Sequence, residues 1–468
     1  LTVADPATRA LEAASPSVFW SDDATSPSPA PQLRWDATVD LAIVGGGFTG
    51  LWAAIQAADE DPGRSIAILE AHRVGFGASS RNGGFVESSV THGLGNGIAH
   101  WPDEVDTLLR LGDQNFAELI EFLADEDADV GLEVTGAIHV ATRPWHVDDL
   151  TELADSMGEH GIRCETLDAE AMQAEVRSPT YVGGLVDPDG TAIVDPARLV
   201  WALRSSAERR GVLIFEDSAA VDIEPSGGRL LVRTSVGTLT ADKVMVATNA
   251  FARPTKRMRR YVVPVYDYVL MTEPLSRDQL DSIGWKGRQA LADVSNQFHY
   301  YRLTADDRIL WGGYDAVYRF GGPIHPGLDQ AGTTHRTLAE HFFATFPQLG
   351  DVVFTHRWAG PIGTTSRFTA TWGSEHGGKL VWVGGYTGLG VAASRFGARV
   401  ALDLLDGVDS ERTNLAMVRR RPMPFPPEPL RYVGIQLTRR ALARADERAG
   451  RRGPWLRILD AFGIGFDS

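Results

Sequence analysis

The 468 residues, 43% hydrophobic and 23% charged, are enough for two or three domains with buried cores, which excludes a disordered chain. Lys and Arg number 45 against 61 Asp and Glu, and the resulting net charge of −16 repels nucleic-acid phosphates. One cysteine, Cys164, excludes an intramolecular disulfide, a CxxC redox pair and a multi-cysteine metal site, so no metal is expected.

The N-terminus has no basic stretch ahead of an apolar one, so no secretory signal and a cytoplasmic location are expected. Residues 15–36, rich in Ser and Pro, predict an extended arm with Phe19 and Trp20 as anchors. A strand from Val39 to Val44, a run of glycines, a helix to Asp59 and a strand from Ser65 to Leu69 follow. Leu41 to Ala58 is long and apolar enough to imitate a membrane span. Its glycines and the acidic stop at Asp59 and Glu60 fit a buried strand and helix better. Residues 103–125 place Val105, Leu108, Leu109, Phe116, Leu119, Ile120 and Leu123 at helical spacing. Short strands are predicted over 132–142, a hairpin around Gly237, a buried strand from Val244 to Ala247, and aromatic strands over 261–320. A last strand, Leu380 to Val383, runs through GGYTGLGV into a helix ending near Leu405. The arginine-rich pattern around Arg439 to Arg452 reads as a helix with a solvated face, with membrane or partner docking as the alternatives.

Gly45, Gly47 and Gly50 fit G-x-G-x-x-G between a strand and a helix, and Glu70 stands twenty residues past Gly50. Gly45 permits the tight turn, Gly47 lets the backbone approach a pyrophosphate, and Gly50 lets helix pack on strand. The helix start, with Phe48 and Thr49, offers free N–H groups to phosphate, and Glu70 can accept ribose hydroxyls. The segment AHRVGFGASSRNGGFV (71–86) separates FAD from NAD. An NAD domain would continue directly into a helix, whereas a flavin's ribityl arm and ring edge call for a donor-rich loop.

From Glu70 to Gly84 the chain reads ExxRxGxGASxRNGG, with Glu70, Ala71, Arg73, Ala78, Ser79, Ser80, Arg81, Asn82, Gly83 and Gly84. Further patches are VDPDGTAIVDPARL (186–199), YYRLTADDRILWGG (300–313), TFPQL (345–349), RWAG (357–360) and GYTGLGV (385–391). On these motifs the chain resembles the D-amino-acid oxidase superfamily of flavoproteins, in its gamma-glutamylputrescine oxidase-like branch, from about residue 18 to 408. The resemblance implies an α/β protein, with a Rossmann-like FAD-binding domain interleaved with a mixed or antiparallel-sheet substrate domain. The expected boundaries are an arm over 1–37, FAD-binding segments 38–100, 185–260 and 355–408, substrate segments 101–184 and 261–354, and an extension over 409–468. Val221 is expected near the adenine, and Thr248 and Asn249 at the end of a buried strand. The N–H groups of the turn containing Gly385, Gly388, Leu389, Gly390 and Val391 are expected to face the flavin's C2 carbonyl and N1.

No second dinucleotide motif follows a strand, so the electrons are expected to come from the substrate. In the resembled family that substrate is an amine, oxidised by hydride transfer to FAD, and the resulting imine is hydrolysed by water. A flavin monooxygenase and an electron-transfer module are the alternatives. Tyr266, Tyr268, His299, Tyr301, Trp311 and Trp358 are the pocket candidates. Of these His299, Tyr301, Trp311 and Trp358 are taken as catalytic. Alternation puts His299 and Tyr301 on one face of 297–302 and Phe298, Tyr300 and Arg302 on the other, with the flavin-facing side open. Relatives resembling glycine oxidase carry WAGLRP, whose arginine clamps an alpha-carboxylate; Ile362 stands at that place here. An amine with a distant or absent carboxylate is therefore expected. The FAD is expected to be non-covalent, since 361–373 contains no cysteine. None of the lysines, Lys243, Lys256, Lys286 and Lys379, lies in the strand where sarcosine oxidase-like relatives activate oxygen, and Trp311 takes that place. His299, Arg81 or Arg302 would then supply the charge, or the acceptor is not oxygen.

Overall fold

The computed structural model describes residues 5–251, 255, 257–330 and 332–464. Lys256 lies outside the described residues.

Ala37–Val44 alternates little because both faces of its sheet are covered, as in a doubly wound parallel sheet. It pairs in parallel with Ile66–Leu69 on one side and Thr238–Val246 on the other. Leu213–Phe215 extends the sheet beyond Ile66–Leu69, and Leu380–Gly384 runs parallel to the end of Thr238–Val246. A hairpin and Thr371–Glu375 complete eight strands. The alanine-rich helix Phe48–Glu60 lies between Pro196–Arg209 and Ala393–Asp406, burying Leu51, Trp52 and Ile55 against Ile43, Ile68 and Val381. The stretch that imitates a membrane span is thus one strand and one buried helix. Among the described residues no helix is long and apolar enough to cross a membrane.

A second eight-stranded sheet runs in the order Phe354–Thr364, Val263–Thr272, Ile309–Gly313, His299–Leu303, Ala290–Asp293, Ala137–Ala141, Gly183–Asp187, Glu165–Leu167. It is mixed: Ala290–Asp293 runs parallel to Ala137–Ala141, and the other neighbours are antiparallel. The helix Gly332–Thr345 covers its outer face through Leu338, Phe342 and the following Phe346. A small sheet of Phe85–Glu87, Thr191–Ile193 and Glu133–Val134 also forms.

Several boundaries differ from the sequence reading. Phe354–Thr364, expected with the cofactor-binding segments, is the edge of the second sheet, because its residues pair with Val263–Thr272 along nearly their full length. Gly183–Asp187, expected to open a cofactor-binding segment at 185, pairs with Ala137–Ala141 in the same sheet. Val105–Asp125, expected with the substrate segments, buries Leu108, Leu111, Phe116 and Leu119 in the core of the first sheet. The arm contains a helix, Pro6–Leu11, capped by Asp5 and packed on Gly332–Thr345. Trp20 is buried, and its indole N–H donates to the Asn82 carbonyl at 3.0 Å. The helix after GYTGLGV starts only at Ala393.

Candidate active site

The glycine turn sits at the carboxyl end of Ala37–Val44. Gly45 has φ +111°, and a Cβ there would stand 2.8 Å from the Ala247 carbonyl oxygen. A Cβ on Gly50 would stand 2.0 Å from the Gly45 carbonyl oxygen. Gly47, at the start of the helix Phe48–Glu60, has no side chain to cap it, and of the first amides Phe48 N donates to Ser79 Oγ at 3.0 Å. Glu70 Oε2 accepts from Gly46 N at 2.8 Å and Oε1 from His72 N at 2.9 Å, while burial pushes its pKa up. Thr248 Oγ1 is buried without a hydrogen-bond partner. A side-chain-free turn, a helix start opened by glycine, a fixed carboxylate and an orphaned hydroxyl fit a dinucleotide of the FAD type.

The loop after Glu70 braces itself. Asn82 Nδ2 donates to the carbonyls of Ala78 and Ser79, and its Oδ1 accepts from Gly84 N. Arg81 Nη1 pairs with Asp329 at 2.6 Å, and Nε donates to the Phe76 carbonyl. Asn249 Oδ1 accepts from Gly385 N at 2.8 Å, which ties the strand end near Thr248 to the GYTGLGV turn.

One cavity of about 1640 Å³ joins these parts to the second sheet. Single-ligand pockets run to ~1,000 Å³, so this one has room for a dinucleotide and a substrate together. Its wall contains Gly45, Gly47, Phe48, Thr49, Glu70, Ala71, Ala78, Ser79, Arg81, Asn82, Gly83, Val221, Thr248, Asn249, Gly388, Leu389, Gly390 and Val391. Gly50, Arg73, Ser80, Gly84 and Gly385 stand behind it. Arg73 pairs with Glu216 at 2.8 Å, and a Cβ on Gly84 would meet the Val194 carbonyl at 2.1 Å. Their fit is to the scaffold of the cradle.

The four side chains expected to be catalytic, His299, Tyr301, Trp311 and Trp358, are absent from the cavity wall. Strand alternation turns Phe298 and Tyr300 toward it instead. His299 accompanies Tyr301 on the opposite face, hydrogen-bonded to Asp293 at 3.1 Å and His341 at 3.0 Å. Tyr301 packs on Trp311 at 4.6 Å, and Trp311 packs edge-on to Phe342. Trp358 is buried and donates to the Arg81 carbonyl at 2.8 Å, holding the loop from behind. Tyr266 lines the cavity and Tyr268 does not. Of the cations considered for oxygen, Arg81 is on the wall, while Arg302 is buried against the carbonyls of Gly83 and Val194.

Sequence reasoning missed three features of the wall: Asp267, Glu87 and the C-terminal helices. Asp267 had a signal, as the lone charge in the ten-residue strand VPVYDYVLMT. The helices Leu430–Asp446 and Pro454–Ala461 close the cavity with Val433, Leu437, Leu442, Trp455, Leu456 and Leu459. Arg439 pairs with Asp315 at 2.8 Å, so the arginine-rich face is partly engaged with the body of the protein.

Residues 40–404 match the model of a family described as FAD dependent oxidoreductase. The chain is 31% identical over 416 residues to gamma-glutamylputrescine oxidoreductase of Escherichia coli (strain K12), covering 88% of this chain and 93% of that protein. It is 27% identical over 308 residues to glycine oxidase of Geobacillus kaustophilus (strain HTA426), covering 62% of this chain and 78% of that one. The crystal structure of glycine oxidase from Bacillus cereus ATCC 14579 superposes with a TM-score of 0.66 at 21% identity, over 82% of this chain and 99% of that chain.

Proposed function

The chain belongs to the FAD-dependent oxidoreductase family, and on that premise we propose that it oxidises a small amine whose carboxylate is distant or absent to an imine, with oxygen as acceptor. FAD, held without a covalent bond, supplies the two-electron acceptor. Gly45, Gly47 and the start of Phe48–Glu60 would hold its pyrophosphate and Glu70 its ribose. Arg81, Asn82, Thr248 and the turn Gly388–Val391 would hold the rest. The observation that carries the substrate reading is what the second sheet brings to the cavity: Ile362, Tyr300, Tyr266 and Val269, with Phe85 against Tyr300 and Asp267 among them. Aromatic and aliphatic walls exclude water and lower the pKa of a bound ammonium, which favours the neutral amine that gives up hydride. Ile362 offers an alpha-carboxylate no partner. The guanidinium of Arg81 is a fixed positive charge on the wall that favours electron transfer to oxygen, moderated by Asp329.

The test is anaerobic mixing of the yellow protein with amines, followed by air. Simple alkylamines and ω-amino acids should bleach the flavin, glycine and D-alanine should do so poorly, and NADPH should leave it oxidised. Acid precipitation should release the flavin into the supernatant. Highest kcat/KM on glycine or D-alanine, or bleaching by NADPH alone, would overturn the reading.

A further inference from the structure

Two carboxylates on the cavity wall have no part in the dinucleotide cradle. Asp267 projects from Val263–Thr272, and Glu87 ends the strand Phe85–Glu87. Phe85 and Glu87 lie two residues apart, on one face, with buried Val86 turned away. The ring of Phe85 meets Tyr300 edge-on at 5.5 Å, and Tyr300 Oη donates to Asp267 Oδ2 at 2.5 Å. Tyr300 reaches Asp267 across the intervening strand Ile309–Gly313. It can do so because Gly312 has no side chain: a Cβ there would stand 2.4 Å from Tyr300 Cζ. The sequence thus spends a glycine in the middle of a strand to let a phenol lie flat over the sheet and orient a carboxylate.

Neither carboxylate has a cation within ion-pair distance among the described residues. Asp267 receives hydrogen bonds from Tyr300 and from the backbones of Tyr268 and Gly313, with His299 acting on it more weakly from beyond ion-pair distance, and Glu87 feels the like charge of Asp187. Burial pushes their pKa values up, Asp267 to about 6 and Glu87 to about 7. Four guanidinium groups of the wall have partners of their own: Arg81 with Asp329, Arg439 with Asp315, Arg452 with Asp460 and Arg431 with the Pro426 carbonyl. An anion in an aromatic enclosure is costly until a cation joins it. In a cavity with room for a second ligand, that cation comes with the ligand.

We propose that Asp267, oriented by Tyr300, with Glu87 as a second carboxylate lining the same cavity, is a subsite for a second, non-reacting ammonium group of the substrate, which makes short aliphatic diamines or polyamines the substrate class. This rests on the reading of the chain as an amine-oxidising flavoenzyme, and it goes further than a missing carboxylate. A monoamine leaves the subsite empty, and an ω-amino acid brings it a repelling charge.

The experiment compares 1,4-diaminobutane, n-butylamine and 4-aminobutanoate on the FAD-loaded protein, in turnover and in binding. The diamine should exceed the other two in kcat/KM by about tenfold or more, the range expected of one charge-assisted hydrogen bond. Asp267→Asn should lower kcat/KM for the diamine by about 10- to 100-fold, chiefly through KM, with a much smaller effect on butylamine. Asp267→Glu should recover part of the loss. If Asp267→Asn is isolated without flavin, Glu87→Gln carries the same comparison. Equal losses on diamine and monoamine, or a wild-type preference for 4-aminobutanoate, would overturn the subsite and leave amine oxidation standing. If no amine bleaches the flavin, the oxidase reading falls. The subsite is then judged by binding alone: a diamine-induced shift in flavin absorbance and melting temperature that Asp267→Asn removes supports it, and the absence of such a shift ends it.

Discussion

Gly50 carries no side chain because the carbonyl oxygen of Gly45 already occupies the place where a Cβ would go, at 2.0 Å. Gly50→Ala must push the helix Phe48–Glu60 away from the turn, at a cost of about 1–3 kcal/mol. The expected outcome is about tenfold or greater loss of flavin affinity, read from the flavin-to-protein absorbance ratio after dialysis, together with a lower melting temperature. Buried titratable groups set a pH dependence of opposite signs on the two sides of the second sheet. His335 is fully buried with Nε2 bonded to the Trp358 carbonyl, and burial pulls its pKa down to about 4. His341 is likewise pulled to about 4, by burial and then by His299. Their ordinary value is 6.5, so their contribution is present above pH 6.5 and is lost as pH falls toward 4. Asp267 has the reverse sign: its pKa is raised from 3.8 to about 6, so stability is lost as pH rises across that window. Over the shared window of pH 4 to 6 the two slopes oppose each other: in melting curves His341→Asn should lessen the loss seen as pH falls, and Asp267→Asn should lessen the loss seen as pH rises. The glycines and Glu70 were legible because a strand and a helix bracket them at fixed spacing. The side of 298–302 that faces the cavity was not legible, because aromatic residues stand on both faces of that strand and none of them is exposed. His299, Tyr301 and Trp311 therefore look as apt in sequence as Phe298 and Tyr300.

Among the elements, Leu430–Asp446 departs furthest from its sequence reading. Its arginines suggest a solvated face, yet Val433, Leu437 and Leu442 line the cavity, and the helix is fastened by its polar groups. Asp446 accepts from Asn296 N at 3.0 Å, Asn296 Nδ2 at 2.6 Å and Gln297 N at 3.2 Å. Glu428 accepts from Tyr318 Oη and Gly321 N at the other end. Asp446→Ala leaves those donors unpaired, a loss of about 1–3 kcal/mol borne mostly by the roof. Iodide should then quench bound flavin more readily and KM should rise, with a smaller change in the melting temperature of the whole protein. Unaltered quenching would mean that the roof is held elsewhere. The arginine-rich pattern placed a helix around Arg439 to Arg452, but the helix runs from Leu430 to Asp446 and its docking depends on partners more than a hundred residues earlier, which no local pattern reports.

At the scale of the molecule, the chain crosses repeatedly between its two large sheets. The α/β class and the interleaving were legible from ordered motifs, while the exact crossing points were not. Phe354–Thr364 and Gly183–Asp187 changed sheets relative to expectation because pairing partners, and not local composition, decide where a strand goes. The parallel contact between Val244–Val246 and Leu380–Trp382 closes the first sheet next to the candidate cofactor cradle. Between Val246 and Leu380 lie more than 130 residues, so the two partners leave the ribosome far apart in time. At ~5–20 residues per second the end of Thr238–Val246 waits about 7–27 s with one row of its amide and carbonyl groups unmatched. During that interval it is an open strand edge that any neighbouring nascent chain could join. Synthesis at high local concentration is therefore the period in which this protein is most exposed to mispairing, and weak induction, which keeps nascent chains apart without slowing each one, is the regime that suits its topology.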